Sequence, residues 1–268
     1  MNSEFVEHIE HPESRYLQEA QQSAYDRVCE RLNGHHITDV PEQVLEKLTY
    51  AYYHDWEQND PSYVFLLADP GVPGEHVVFE ANAYADLDTD DYREKVHVDQ
   101  RFGARWLAKK RYTDFTSGFI QQCQDHELIN VAEPWWQYLL SRSFFDDFYM
   151  TDVVKYRENS PSKAALDASV HLGLIRELEY IDPDLIFTFG SRAWDAVRTH
   201  LQAEPVSDID DPSSITEVHG KLYRATREHD VAILPCGHMS PQFRGAQISH
   251  KEYMSRIAAG LETNAAVQ

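Results

Sequence analysis

Tyr63-Val-Phe-Leu-Leu-Ala-Asp69-Pro-Gly-Val-Pro-Gly-Glu-His76 is the stretch on which the fold turns. Tyr63 to Ala68 are apolar without alternation, and they stop at Asp-Pro-Gly. A short continuous apolar run closed by turn residues reads as a strand buried on both faces, as in parallel sheets. In such sheets ligands bind beyond the carboxyl ends of the strands, where Asp69 falls. Pro70 fixes its own φ and biases Asp69 towards an extended conformation, while Gly71 and Gly74 allow backbone to approach a ligand closely. A carboxylate thus stands at a strand tip. A plain Asp-Pro-Gly turn without chemistry is the alternative.

Three more runs of this kind follow: Phe144 to Val154, Pro183 to Gly190, and Val231 to Pro235. Helical spacing of apolar residues predicts helices over 114–124, 134–143, 162–180, 191–201 and 249–261. Upstream, Ser14 opens a helix that ends at Asn33-Gly34, and a second spans about 42–56. Residues 203–218 read as an acidic linker, and 219–224 as an extra edge strand. Strand–helix alternation repeated four times predicts a doubly wound fold. The expected architecture is a three-layer α/β/α sandwich with a central, mostly parallel four-stranded sheet. Residues 1–62 form an N-terminal helical extension packed on the core, and 63–268 a single compact unit.

Asp and Glu number 45 against 24 Lys and Arg, a formal charge of −21. Dispersed acidity of this size points to a cytoplasm of very high salt, where the Debye length falls to about 3 Å near 1 M. An acidic protein that avoids polyanions is the other reading. The amino terminus is acidic and has no long apolar run, and no stretch approaches the ~20 apolar residues that span a bilayer. A cytoplasmic protein with no membrane partner is expected. Cys29, Cys123 and Cys236 are isolated and odd in number, which argues against a disulfide framework or a Cys-rich metal site.

Two charged stretches stand out. Asp86-Leu-Asp-Thr-Asp-Asp91 has the alternation of a calcium loop, but the sixth position is Asp91 and the twelfth His97, where an EF-hand needs Gly and Glu. It reads as an acidic surface loop, and no metal is expected. From Arg101 to Arg111, Arg101, Arg105, Lys109, Lys110 and Arg111 interleave with Phe102 and Trp106. Basic residues among aromatics suit a surface that tracks phosphates and stacks bases; a solvated helix face is the alternative. Ser191 lacks the second Gly of a nucleophile elbow.

The last buried strand runs into Cys236-Gly-His238-Met-Ser240-Pro241-Gln-Phe243-Arg244. In a doubly wound sheet Asp69 and His238 then share one edge. These residues resemble the uracil-DNA glycosylase superfamily. Leu67-Ala68-Asp69-Pro70-Gly71 is similar to its first motif, with Leu in place of Gly. His238-Met239-Ser240-Pro241 is similar to its last, His-Pro-Ser-Pro, with Met in place of Pro. Thr151-Asp152-Val-Val-Lys155-Tyr-Arg157 resembles Thr-Asn-Val-Val-Lys-Cys-Arg, and Asp184 to Ala193 the family's next strand and turn. Arg101-Phe102-Gly103-Ala104-Arg105 is similar to the segment bearing its stacking aromatic. The resemblance spans about 63–261, with an insertion near 74–99.

What the resemblance implies is a cofactor-free, monomeric DNA repair glycosylase that flips out and hydrolytically excises uracil or a related deaminated base. Asp69 and His238 would be catalytic, and Phe102, Asp152 and Ala68 would hold the base. Arg101, Arg105, Lys155, Arg157, Ser240, Gln242, Phe243 and Arg244 would meet DNA. The three cysteines cannot supply the four that the cluster-binding form of the family needs. Asp152 departs from the family's Asn, which gives an N–H to uracil O4. An ionised Asp has acceptors only, whereas its protonated form regains a donor and suits uracil or cytosine. A pocket that excludes water favours that protonated form. A non-catalytic nucleic-acid-binding protein on the same fold, or an unrelated doubly wound nucleotide-binding protein, remains the competing reading.

Overall fold

A computed structural model describes residues 14–49, 61–68, 77–78, 81–82, 106–157, 161–206, 214–225, 230–239 and 248–267. In chain order these form α1 (Arg15–Gly34), α2 (Glu42–Thr49), β1 (Tyr63–Leu67), a 3-10 turn (Trp106–Ala108), α3 (Thr113–Asp125), α4 (Trp135–Leu139) and α5 (Arg142–Asp147). There follow β2 (Phe148–Asp152), α6 (Lys163–Ser169), a π-helical turn (Val170–Leu174), α7 (Ile175–Ile181), β3 (Leu185–Phe189) and α8 (Ser191–His200). The chain closes with β4 (Ala203–Pro205), α9 (Ile215–Val218), β5 (Tyr223–Ala225), β6 (Ala232–Cys236) and α10 (His250–Val267).

The fold is mixed α/β around a mostly parallel sheet, with strand order β2-β1-β3-β6-β5-β4. β1 and β6 both run parallel to β3, with Phe65 opposite Phe187 and Leu234 opposite Phe187 on its other side. β5 is antiparallel to β6, and β4 to β5. The sheet therefore has six strands among the described residues, where four were expected. The difference lies at one edge. Residues 203–205, expected as linker, pair with Tyr223–Ala225, so β5 is interior and β4 is the edge. Three residues ending in Pro205 make a short edge strand that resists further pairing.

Two other boundaries moved for local reasons. The run expected as a strand from Phe144 begins as helix, because Phe144, Phe145 and Phe148 also satisfy helical spacing. Phe144 stacks on Phe148 with ring centroids 5.3 Å apart, and β2 starts only at Phe148. The helix expected over 162–180 has Ser162 as its cap, whose hydroxyl accepts from the Ala165 N–H at 3.1 Å. It then passes through the π-helical turn, where a Cβ on Gly173 would lie 3.1 Å from Lys155 Cγ. Bulk at Gly173 would press on the buried Lys155 stem. The helix expected to reach residue 56 is described only to Thr49, and the Asp86–Asp91 loop lies outside the described residues.

By its internal contacts the chain divides into two compact units. One comprises Met1–Glu57, Asp69–Asp99 and Asp152–Glu177; the other comprises Gln58–Ala68, Gln100–Thr151 and Leu178–Gln268. In the first unit Leu17, Ala20 and Ala24 of α1 pack with Tyr156 and Ala165. Small residues on one helix stripe let backbones approach closely. In the second unit Phe115 and Phe119, one turn apart on α3, meet the sheet. Phe119 sits edge-on to Phe65 and Phe187 at 5.6 and 5.0 Å, and Phe65 stacks on Phe189 at 4.1 Å. All five rings are at most 1% exposed. Each contributes about 1.5–3 kcal/mol through burial, with edge-to-face geometry adding to it.

Candidate functional site

In the second unit β3 and β6 end side by side. The Gly190 N–H donates to the Cys236 carbonyl at 2.9 Å, just past the pairing of Phe189 with Cys236. Gly190 has φ 94°, a conformation that a side chain would strain, and it precedes the first turn of α8. A Cβ there would lie 3.6 Å from Cδ2 of His238. His238 is exposed, whereas the next residue, Met239, is 1% exposed and anchors the loop in the core. Met239 thus serves as an apolar anchor. An imidazole is presented to solvent at the carboxyl ends of two adjacent parallel strands, where sheets of this kind bind ligands.

Gly237, the residue before His238, is held through both of its backbone groups. Its N–H donates to Nδ1 of His219 at 3.2 Å, and its carbonyl accepts from the Tyr253 hydroxyl at 2.6 Å. Nε2 of His219 lies 3.2 Å from the Tyr253 carbonyl oxygen. An acceptor at Nδ1 and a carbonyl facing Nε2 assign the neutral tautomer with the proton on Nε2. Burial lowers the pKa of His219 to about 4, against the opposing pull of the Tyr253 carbonyl. The rings of His219 and Tyr253 lie 4.1 Å apart.

Two glycines make that meeting of helix and turn possible. Gly220 has φ 75°, and a Cβ there would fall 2.4 Å from the Arg256 carbonyl oxygen. A Cβ on Gly260 would fall 2.3 Å from Leu234 Cδ1 and 2.6 Å from the Gly220 carbonyl oxygen. α10 therefore rides directly on the backbone of the 218–221 turn. The Gly220 N–H is itself tied to the Pro235 carbonyl at 2.8 Å, which fixes the turn to β6.

In the first unit, Asp152 to Arg157 are all buried. Lys155 Nζ donates to Glu177 and to the Asp152 carbonyl, both at 2.5 Å, with side-chain exposures of 3% for Lys155 and 1% for Glu177. The Lys155 N–H donates to Ser169 Oγ, whose own hydroxyl donates to the Val153 carbonyl. Arg157 Nε donates to the Leu48 carbonyl at 2.7 Å, and the Arg157 N–H to that of Thr49. The phosphate-holding roles expected of Lys155 and Arg157 do not fit these placements, since both cations are turned into protein. A basic residue in a short motif signals charge, but only the fold shows whether that charge is paired inside. Asp152 is 0% exposed at the end of β2.

Ala68 follows β1 directly and is half-buried. Asp69, Arg101, Phe102, Arg105, Ser240, Gln242, Phe243 and Arg244 lie outside the described residues. His219 and Tyr253 were not singled out from the sequence. A His-Gly before a short strand and a Tyr on a helix carry no motif that would have marked them. Among the described residues no cluster of His, Cys, Asp and Glu is arranged to hold a metal ion, and no helix is long and apolar enough to cross a membrane. Burial pushes the thiols of Cys123 and Cys236 up, which leaves both inert.

β3 and β6 thus bring an exposed imidazole to the carboxyl edge of a mostly parallel α/β sheet. A family model described as the uracil DNA glycosylase superfamily matches residues 104–262, more than half the chain. The chain belongs to that superfamily. The match takes in β2, β3, β6 and the His238 loop, whereas β1 and Asp69 precede it. No curated protein matches the chain.

Proposed function

We propose that the protein is a DNA glycosylase that hydrolyses the N-glycosidic bond of a flipped-out base, uracil or a related deaminated base. The observation that carries this reading is His238: an exposed imidazole at the tip of β6, within the matched region, next to a residue, Gly237, whose backbone is held by two buried side chains. As the bond breaks, positive charge grows on the sugar and negative charge on the departing base. A fixed hydrogen-bond donor aimed at the base oxygen stabilises that charge without reorganisation, as an oxyanion hole does. Asp69, beyond β1, stabilises the sugar cation and orients the attacking water. Asp152 reads the edge of the base, Phe102 stacks on it, and Gln242 or Phe243 fills the gap left in the duplex. Arg101, Arg105 and Arg244 neutralise phosphates.

The test is excision from a uracil-containing oligonucleotide, read as strand scission after heat and alkali, in about 50 mM and about 2 M KCl. Release of uracil by the wild type, lost in Asp69→Asn and His238→Ala, supports the assignment. A non-catalytic nucleic-acid-binding protein on the same fold is favoured by one observation, that the family match leaves the Asp69 turn outside it. That reading requires a gel shift with intact DNA and no scission under any salt condition.

A further inference from the structure

His238 is exposed, and a side chain on a loop needs support if its hydrogen bond to a reacting atom is to be aimed. Met239 supports it from one side through burial. The other support is polar. Gly237, the residue before His238, has both its N–H and its carbonyl bonded to buried side chains. Those side chains, His219 and Tyr253, are 1% and 0% exposed, and they bond to one another through Nε2 of His219 and the Tyr253 carbonyl. The Tyr253 ring is fixed in turn by Phe115, edge-on at 5.8 Å. The network closes in a loop: His219 to Gly237, Gly237 to Tyr253, Tyr253 back to His219. The cost of placing two polar side chains in a core is offset only because every link has a partner of the right polarity.

We propose that His219 and Tyr253 are positioning residues for catalysis: they fix the Gly237 peptide and thereby set the direction in which His238 meets the departing base. This rests on the assignment of His238 as the residue that stabilises the leaving base. Neither side chain needs to touch DNA. Nδ1 of His219 holds the peptide plane before Gly237 and the Tyr253 hydroxyl holds the plane after it, so together they resist rotation about φ and ψ of Gly237. Loss of either link frees one of those planes. A tilt of either plane redirects the imidazole, enough to lose much of a directed hydrogen bond.

Tyr253→Phe is the variant of choice, because it removes one oxygen and keeps the ring between His219 and Phe115. Single-turnover excision from a uracil oligonucleotide should fall on the order of 10-fold, with DNA affinity unchanged. In a His238→Ala background the same change should have little further effect, since the clamp acts through that imidazole. An equal fractional loss in both backgrounds, or an unchanged rate, overturns the proposal. A second readout does not depend on excision. In 15N-labelled protein the His238 ring and Gly237 amide resonances should shift or broaden in Tyr253→Phe and in His219→Gln, while amides of β1 and α3 stay in place. Unchanged His238 and Gly237 signals overturn the clamp even if the wild type excises nothing. Shifted signals in a protein without excision leave the clamp standing and remove the glycosylase assignment instead.

Discussion

Gly190 and His238 stand against one another at the ends of β3 and β6, with room for only van der Waals contact between a Cβ at the first and the ring of the second. Gly190 also adopts φ 94°. Gly190→Ala should therefore strain the backbone by ~1–3 kcal/mol, and relief of that strain would shift the turn on which the imidazole rests. His238→Ala should lower single-turnover excision by on the order of 100-fold or more while leaving DNA affinity nearly unchanged. Gly190→Ala should give an intermediate loss of rate. Near-normal rates in both variants would remove His238 from the chemistry.

Asp152 tests base selection. An ionised carboxylate offers only acceptors to a base edge, whereas an amide offers one donor and one acceptor. Asp152→Asn should raise uracil excision and flatten any decline in rate as pH rises above neutrality. The comparison is a pH series with uracil-containing and cytosine-only strands. An unchanged base preference and an unchanged pH profile would assign Asp152 a structural role at the end of β2.

His219 predicts acid sensitivity. Its folded pKa is about 4 and lies below the ordinary histidine value of 6.5 because burial opposes the charge. Between those two values the unfolded chain binds a proton that the folded chain refuses, so stability rises with pH through this window. Its contribution is fully present above about pH 6.5 and is lost progressively as pH falls towards 4, amounting to about 3 kcal/mol. Urea unfolding at pH 7 and pH 5 should show the loss in the wild type and a smaller one in His219→Gln. Parallel slopes would show that the imidazole is not held neutral.

The Lys155–Glu177 pair makes a prediction about stability in place of the DNA contact expected of Lys155. Lys155→Met leaves the Glu177 carboxylate buried without its ammonium partner and should cost about 3–5 kcal/mol. Lys155→Met combined with Glu177→Leu should recover much of that loss. Guanidinium melts of the two variants measure it. The salt dependence of DNA binding should be the same for the double variant as for the wild type, because this cation is turned away from solvent. A shallower salt slope would return Lys155 to the phosphate contacts.

Charge makes a further one. At −21, like-charge repulsion disfavours the compact state until salt screens it. Thermal midpoints should rise between about 50 mM and 2 M KCl, and excision should persist at the higher salt. Full stability and activity at the lower concentration would remove the inference of a high-salt habitat.

Unbroken apolar runs closed by turn residues were enough to mark the buried parallel strands and to put His238 just beyond one of them. Both follow from local rules: periodicity decides which faces are buried, and strand direction decides which end carries a site. Even there, Phe144 to Asp147 satisfied two periods at once, and helix won through the stacking of Phe144 on Phe148. The tertiary structure alone decided which side chains meet. His219 and Tyr253 are 34 residues apart and touch because Gly220 and Gly260 let α10 settle on the turn before β5. Lys155 carries the same charge as a surface lysine in any window of sequence. It became an interior residue only because Glu177, 22 residues later and beyond α6 and the π-helical turn, arrives within 2.5 Å of it. Pairing across such separations depends on the shapes of packed elements, and shape is a property of the assembled core.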